Sequence, residues 1–254
     1  MREILYGRHA VCESLLAGRR KHHKVLLAKG VRRSDVIDQI VSLARQANIP
    51  VIDTQRDHLD KIGNINHQGV ALETDAYPYV TLLDMLPDSP AHARESAPFF
   101  LLLDLLQDPQ NVGSLLRTAE AVRVTGVVIQ RRRAVDITPT VVHTSAGAAE
   151  HLPIAQVTNL VKAIRDLKAL DVWVAGLEAT PDAQRYEQAD LRGPLAIVLG
   201  SEGEGLRRLV RETCDFLLRL PMLGKITSLN ASVAGSVILY EVLRQRQHGS
   251  SPQE

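Results

Sequence analysis

The chain has 254 residues, a net charge of +1 at pH 7, 45% hydrophobic residues and only 4% aromatic residues. This length is sufficient for a mainly aliphatic core and for two domains, and the near-neutral charge means that any nucleic-acid contact needs local basic patches. No apolar run is long enough for a membrane span and residues 1–10 do not resemble a signal peptide, so we expect a cytoplasmic protein whose Cys12 and Cys214 are reduced thiols.

The first 75 residues predict a small α/β unit, because amphipathic helical segments alternate with short strands. Gly18 is expected to end the first helix and Ser34 to cap the second. The predicted helices are 3–17, 34–47 and 57–62, and the predicted strands are 24–28, 50–53 and 69–73. Residues 19–24 form a basic run, which fits either a solvated turn or a phosphate patch for RNA.

Residues 76–97 predict a linker, because prolines and scattered charge interrupt the alternation. From Phe99 the chain predicts a mostly parallel sheet covered by helices on both faces. The predicted strands are 99–106, 126–130, 152–155, 172–177, 195–199 and 216–220, and the predicted helices are 112–124, 138–149, 158–170, 206–212 and a last helix after 230. Ligands of such sheets bind at the carboxyl ends of the strands.

The first loop at such a strand end reads QDPQNVGSLLRTA over 107–119. Asn111 is a candidate helix cap. Arg117 fits either a surface ion pair with a residue such as Glu120 or a bidentate clamp on a phosphate or carboxylate.

The second loop reads GSEGEGL over 200–206, and its three glycines permit close backbone approach to a ligand. It matches neither GxGxxG nor GxxxxGK[ST], which excludes the pyrophosphate sites of those motifs. Glu202 suits a cationic or hydroxyl-bearing ligand. The third loop, 220–230, is rich in side-chain donors, and Ser228 or Asn230 is expected to cap the following helix. Each loop alone also fits an ordinary turn.

Together the loops resemble the three signature motifs of the SpoU/TrmH branch of the SPOUT RNA methyltransferases. The first motif corresponds to Asn111, Gly113 and 117–119, the second to 199–203, and the third to 221–232. The segment 231–236, Ala-Ser-Val-Ala-Gly-Ser, departs from the family's more frequent Val-Ser-Val-Ala-Ala-Gly. The leading module, with 6–11 and 67–70, resembles the substrate-binding domain of the subgroup that methylates guanosine in large-subunit ribosomal RNA.

The resemblance implies an α/β protein with an RNA substrate-binding domain (1–75), a linker (76–97) and a SPOUT catalytic domain (98–254) that ends in a trefoil knot. It implies S-adenosylmethionine as cofactor and methyl transfer to a ribose 2′-hydroxyl of 23S ribosomal RNA or a pre-ribosomal particle. It also implies a homodimer whose sites are completed by the partner chain. The implied catalytic residues are Arg117, Glu202, Asn230, Ser228 and Asn111, and the implied cofactor contacts are Gly200, Leu220, Leu229, Leu177 and Met222.

Candidate RNA contacts are basic residues. Arg8 and His9 are implied by the resemblance, and the others are Arg19, Arg20 and the rest of 19–24, the run 131–133, Arg207, Arg208 and Arg211. An arginine in its usual charged state has no acceptor for a proton, so Arg117 fits a phosphate clamp that stabilises the forming alkoxide at least as well as a general base.

Other functions remain open at this point. The same chemistry on transfer RNA is the nearest, and a catalytically silent RNA-binding protein of the same fold is another, although Arg117 and Asn230 are both present. A Rossmann oxidoreductase is disfavoured by the missing GxGxxG motif. No metal site is expected, because the nine histidines show neither HxH nor HExxH spacing, and His143 fits a core position.

Overall fold

A computed structural model describes residues 2–63, 65–86 and 97–248. It divides the chain into two compact units, Met1–Pro78 with Asp136–His151, and Tyr79–Val135 with Leu152–Glu254. The segment 136–151, which the predicted division assigned to the catalytic domain, thus groups with the first unit. Residues 87–96 of the predicted linker and the last six residues lie outside the described part, and the functional division into domains stays a prediction.

Strands and helices alternate along most of the chain. The strands are β1 (Arg2–Tyr6), β2 (His22–Ala28), β3 (Val51–Thr54), β4 (Val70–Asp75), β5 (Phe99–Asp104), β6 (Gly126–Gln130), β7 (Ile154–Val157), β8 (Trp173–Leu177), β9 (Gln184–Arg185), β10 (Leu195–Gly200) and β11 (Phe216–Arg219). The α-helices are α1 (Arg8–Ala17), α2 (Asp35–Gln46), α3 (Arg56–Asp60), α4 (Pro109–Ala121), α5 (Pro139–Thr144), α6 (Leu160–Lys168), α7 (Arg208–Thr213) and α8 (Ala231–His248). No described helix is long and apolar enough to cross a membrane.

The first unit is built on a mixed sheet in the order β1-β4-β2-β3, in which only β2 and β3 run parallel. The predicted helix over 3–17 is wrong at its start, because residues 2–6 pair with 71–75 as a strand and Gly7, at φ 88°, separates it from α1. Two helix signals are confirmed. Gly18 adopts the left-handed conformation at the end of α1, and the Ser34 hydroxyl accepts the Ile37 N–H at the start of α2.

The predicted helix over 138–149 is also divided. Thr138 caps α5, which ends at Thr144, and a 3₁₀ turn follows at Ala148–His151. The break falls at Ala146 and Gly147, both of which have positive φ. An α-helix cannot continue through two successive residues in that conformation.

The second unit confirms the predicted parallel sheet. Its seven strands lie in the order β7-β6-β5-β10-β8-β11-β9, and every neighbouring pair is parallel. One face packs on α6 and α7, and the other on α4 and α8, where Gly235 lies against Leu115 and Leu199. Because β8 lies between β10 and β11 and is parallel to both, the carboxyl ends of β8, β10 and β11 lie side by side. The trefoil knot stays a prediction from the family resemblance.

Candidate active site

A cavity of about 680 Å³ lies at the carboxyl ends of β8, β10 and β11. Parallel strands bring the loops that follow them to one edge of the sheet, which is where ligands bind in this class of fold. Residues from all three of these loops line the cavity. They include every predicted cofactor contact, namely Leu177, Gly200, Leu220, Met222 and Leu229.

The loop after β10 is a tight turn whose glycines are required by its geometry. Gly205 donates its N–H to the Ser201 carbonyl at 3.0 Å, and Gly203 and Gly205 have φ of 85° and 67°. A Cβ on Gly200 would lie 2.2 Å from the backbone carbonyl atoms of Gly205. Since backbone atoms cannot move aside as a side chain can, only glycine fits at the end of β10.

Three of the predicted catalytic residues form one hydrogen-bonded triangle. Glu202 Oε1 accepts the Nδ2 groups of Asn111 at 2.6 Å and of Asn230 at 2.7 Å. The Asn230 Nδ2 group also donates to Asn111 Oδ1 at 2.9 Å. Because a carboxylate only accepts, both amides must present their nitrogen to Glu202, which fixes the orientation of both asparagine side chains. The triangle ties the first turn of α4 to the loops after β10 and β11.

Asn230 also caps the N-terminus of α8. Its Oδ1 accepts the backbone N–H of Ser232 at 2.9 Å, the Ser232 hydroxyl at 2.6 Å and the Val233 N–H at 3.3 Å. Of the two caps considered from the sequence, Asn230 is therefore confirmed, while Ser228 is an exposed residue of the cavity wall. One amide thus joins the start of α8 to the loop after β10.

Asn111 is not a helix cap, so that expectation is wrong. Asp108 caps α4 by accepting the Gln110 N–H at 3.0 Å, and Pro109 occupies the first helical position, where its missing N–H costs nothing. Asn111 lies within the first turn and is only 8% exposed. Its side chain is therefore available to Glu202.

Comparison with known proteins identifies the family. Residues 98–240 match the family described as "SpoU rRNA Methylase family". The chain belongs to the SpoU family. Residues 4–80 match a second family, "RNA 2'-O ribose methyltransferase substrate binding". A curated relative from Bacillus subtilis, YacO, is assigned by name to the TrmH family of tRNA/rRNA methyltransferases and is 43% identical over 244 residues, which cover 96% of each chain.

Two solved structures share the fold. The SpoU methyltransferase AviRb from Streptomyces viridochromogenes, in complex with the cofactor AdoMet, is 23% identical with a TM-score of 0.80, over 99% of this chain and 92% of AviRb. An AdoMet-bound rRNA methyltransferase from Sinorhizobium meliloti is also 23% identical, with a TM-score of 0.78 over 98% of this chain and 88% of that one. These likenesses confirm the two-part α/β fold.

Arg117 stands apart from the triangle of this SpoU chain. It lies six residues beyond Asn111 on α4, which corresponds to about 9 Å along the helix and about 240° around it. It is exposed, and within the described residues its side chain has no hydrogen bond or ion pair, including none with Glu120. It does not line the cavity. The structure therefore brings Glu202, Asn230 and Asn111 together but leaves Arg117 outside their group.

The sequence reasoning missed Glu178, which follows β8 and lines the cavity. Its Oε2 is buried and, among the residues that the structure covers, has no hydrogen-bond partner, while Arg211 Nε lies 3.6 Å away. Burial raises the pKa of this carboxyl, and Arg211 offsets the shift only in part. A signal was available, since Glu178 follows a buried strand whose end was already assigned to the site.

The predicted RNA contacts are placed in very different surroundings. Arg20 is buried, and its guanidinium bonds Glu150 at 2.6 Å and Glu3 at 2.7 Å, which is at odds with a phosphate contact. Arg19 is half-buried and donates to the Tyr77 hydroxyl and to backbone carbonyls.

Arg207 is held across the ends of β5 and β6. It pairs with the buried Asp104 at 2.7 Å and donates to Gln130 at 3.0 Å, which indicates a structural role. Arg208 and Arg211 pair with Glu212 and Asp182. Three arginines, 131–133, are exposed at the carboxyl end of β6.

The His143 ring stacks on the Tyr6 ring, and His143 Nδ1 hydrogen-bonds the carbonyl oxygen of Tyr6. These contacts indicate a structural role for His143. Within residues 2–63, 65–86 and 97–248 no group of three or more His, Cys, Asp or Glu side chains is arranged to hold a metal ion.

Proposed function

We propose that the chain transfers a methyl group from S-adenosylmethionine to the ribose 2′-hydroxyl of a guanosine in large-subunit (23S) ribosomal RNA. The observation that carries the proposal is that the loops after β8, β10 and β11, with all the predicted cofactor contacts, line one cavity, and that the Asn111–Glu202–Asn230 triangle ties the loops after β10 and β11 to the start of α4. Membership of the SpoU family and the AdoMet in the related structures support the same chemistry.

The cavity suits this cofactor by its chemistry. Leu177, Leu220, Leu229 and Met222 offer apolar surface for an adenine ring and an aliphatic chain, and Gly200 lines the same cavity. The bound cofactor would supply an electrophilic methyl group on a sulfonium centre. The protein's part is to position the 2′-hydroxyl in line with that methyl group and to assist removal of its proton.

The remaining roles follow from the contacts. Glu202, Asn111 and Asn230 hold the loops in register, and Ser228 on the cavity wall orients the ribose or the cofactor. Arg117 clamps the target phosphate and stabilises the forming alkoxide, because its exposed guanidinium, which has no partner among the described residues, is free to bind an anion bidentately.

We further propose that Arg117 acts in the site of a second copy of the chain. It lies outside its own cavity, and its neighbours Ser114 and Thr118 line a groove of about 790 Å³ that continues onto α8. There Val233, Val237 and Tyr240 are 50%, 38% and 54% exposed and form an apolar stripe on α8. Such a stripe is typical of an interface between subunits.

Mixing two inactive variants tests this arrangement. Arg117→Ala and Asn230→Asp chains, denatured together and refolded, form mixed dimers. If Arg117 acts across the interface, each mixed dimer has one intact site, and random assortment returns about a quarter of the wild-type rate. If Arg117 acts within its own chain, every site is defective and the mixture stays inactive. Light scattering of the wild type at micromolar concentration must show a dimer.

The preference for ribosomal RNA rests on the first unit. Residues 2–75 form a sheet of their own, and residues 4–80 match a family described as substrate binding, which supports a dedicated docking domain in addition to the catalytic one. The SpoU family is described as rRNA methylases, whereas YacO carries both tRNA and rRNA in its name. Ribosomal RNA, or an assembling large subunit, is therefore the proposed partner, and transfer RNA is the outcome that the assay must separate from it.

The experiment uses tritiated S-adenosylmethionine with unmodified large-subunit ribosomal RNA and, separately, with transfer RNA. We expect alkali-stable label at a guanosine of ribosomal RNA, lost in Arg117→Ala. Label only in transfer RNA would keep the chemistry and overturn the substrate. Cofactor binding by calorimetry without label in either RNA would favour a silent RNA-binding protein.

A further inference from the structure

The first unit contains a cationic cleft of about 460 Å³ that the proposed chemistry does not use. It lies where β2 and β3 end and β4 begins, and no acidic side chain is among its lining residues in the part of the chain that the structure covers. They are Arg8, Gly30, Val31, Arg32, Arg56 and Gln68. The two segments that resemble the family's leading domain, 6–11 and 67–70, meet here although sixty residues of sequence separate them.

Arg8 is anchored in place at the base of this cleft. Its Nε donates to the Gln68 carbonyl at 3.3 Å, Nη1 to the Ser34 hydroxyl at 3.1 Å and Nη2 to the Arg32 carbonyl at 3.3 Å. All three acceptors are neutral, so the positive charge is positioned but not neutralised. A guanidinium has five N–H donors, and these bonds leave two for a ligand.

The turn that carries Gln68 is fixed by local hydrogen bonds. Gln68 and Gly69 both have positive φ, and the Gln68 Oε1 accepts the Arg8 backbone N–H at 3.0 Å. His67 Nδ1 accepts the Gly69 N–H at 2.9 Å, so its Nε2 carries the proton and donates to Asp60 at 2.8 Å. A Cβ on Gly69 would lie 2.6 Å from Val31. Glycine adopts this conformation without strain, so the turn is held by its hydrogen bonds and by its close packing on Val31.

The two other arginines are free to bind. Arg32 and Arg56 are exposed, and within the described residues neither side chain forms a hydrogen bond or an ion pair. Their neighbour Arg33, outside the cleft, pairs with Asp38 at 2.7 Å. Three guanidinium groups around one concavity repel one another, and the concave shape concentrates their field, so an anion is the ligand that relieves the repulsion.

We infer that this cleft binds a backbone phosphate of the RNA substrate, with Arg8 as the fixed contact and Arg32 and Arg56 closing on the phosphate oxygens. The planar forks of arginine match phosphate oxygens in a bidentate manner. That the phosphate belongs to RNA rests on the proposed function, and the cationic site itself rests on the geometry. A contact of this kind positions the substrate without reading its sequence.

The test measures binding of an unmodified large-subunit ribosomal RNA transcript to the full chain at several salt concentrations. The variants are Arg32→Ala, Arg56→Ala and the two together, because neither exposed side chain forms a hydrogen bond or an ion pair with the residues that the structure describes. Arg45→Ala is the matched control, since it removes one exposed arginine from the other end of α2. Thermal unfolding checks that all variants fold alike.

Each cleft variant is expected to weaken binding several-fold and to reduce the slope of log K against log salt by about 0.7–0.9, as for one lost phosphate contact. KM for RNA rises, while kcat and the affinity for S-adenosylmethionine stay unchanged. Arg45→Ala should match the wild type. Unchanged RNA binding in the double variant, or an equal loss in the control, would overturn the inference.

The two proposals fail separately. A wild-type chain that binds the transcript through the cleft but transfers no methyl group contradicts the proposed function and keeps the cleft. A double variant that binds and methylates as the wild type does contradicts the cleft alone. A wild-type chain that does not bind the transcript overturns both, and an acidic protein would then be the ligand to examine.

Discussion

Exchanging the amide of Asn230 and the carboxylate of Glu202 between their two positions tests whether the triangle holds the site together. Asn230→Asp preserves the cap of α8, because Oδ1 remains an acceptor for Ser232 and Val233. It replaces the donor that faces Glu202 Oε1 at 2.7 Å with a second carboxylate oxygen. Glu202→Gln keeps an acceptor for both asparagines and removes only the charge.

The cost of each change follows from the contacts. Asn230→Asp removes two hydrogen bonds worth about 1 kcal/mol each. Two like charges at this distance in a water-like medium add about 1.5 kcal/mol. The single variant should therefore lose about 3 kcal/mol of stability, and less if the introduced carboxylate moves toward solvent. Glu202→Gln should lose about 1 kcal/mol, the difference between charged and neutral hydrogen bonds.

The double variant should be more stable than Asn230→Asp alone. The amide introduced at position 202 can donate to the carboxylate introduced at position 230. A flipped Asn111 amide can donate to that carboxylate while accepting from the introduced amide, so every polar atom again has a partner. We expect the double variant to lie within about 1 kcal/mol of the wild type, a coupling energy of about 3 kcal/mol.

Urea unfolding of the wild type, both single variants and the double variant measures this coupling. Additive losses, within about 0.5 kcal/mol, would refute the triangle as a coupled unit. A conservative control is Glu204→Gln, which removes a carboxylate from the same turn that has no part in the triangle and should leave stability within about 0.5 kcal/mol.

Three further predictions concern single positions. Gly200→Ala should destabilise the chain and abolish cofactor binding, because the new Cβ meets backbone atoms, while Gly193→Ala, whose Cβ would meet nothing, should leave both unchanged in unfolding and calorimetry experiments. Glu150→Ala should cost about 3–5 kcal/mol in urea unfolding, since it leaves the buried Arg20 without its main partner. Glu178→Gln should stabilise the free protein at neutral pH yet weaken cofactor binding. Because burial raises the pKa of Glu178, its ionised form opposes folding above that pKa, so the stability difference from wild type should vanish as the pH falls below the carboxyl's ordinary range.

The strands that were predicted most accurately are those buried on both faces. Residues 127–129 and 195–199 are continuous apolar runs, so the positions of these two strands are local information. Residues 2–6 were missed because Ile4 and Leu5 fit a helix and a strand equally well. Pairing with residues 71–75 decides in favour of the strand, and local propensity carries no information about a partner so far along the chain.

The members of the candidate site were predictable, but its connections were not. Asn111, Glu202 and Asn230 came from motif resemblance, whereas their mutual bonds join residues 91 and 119 positions apart. Arg20 shows the converse error. A run of basic residues predicts exposed side chains. Only the fold shows that Glu150 and Glu3 surround the Arg20 guanidinium. Buried polar partners are thus the part of a structure that sequence patterns indicate least.

The role of Arg117 can be decided by its pH dependence. Lysine keeps the positive charge but loses the planar fork, and lysine side chains ionise about two pH units below arginine. If Arg117 clamps phosphate and stabilises the alkoxide, Arg117→Lys should be slower than the wild type by a constant factor from about pH 7 to 9.5. If residue 117 instead accepts the proton, the neutral amine of the lysine variant is more abundant at high pH than the neutral guanidine of the wild type. The rate of the variant must then reach or exceed that of the wild type as the pH rises. We expect the constant deficit in single-turnover measurements, because a charged guanidinium has no acceptor for a proton and because Arg117 has no ion-pair partner among the described residues that would compete with an anion.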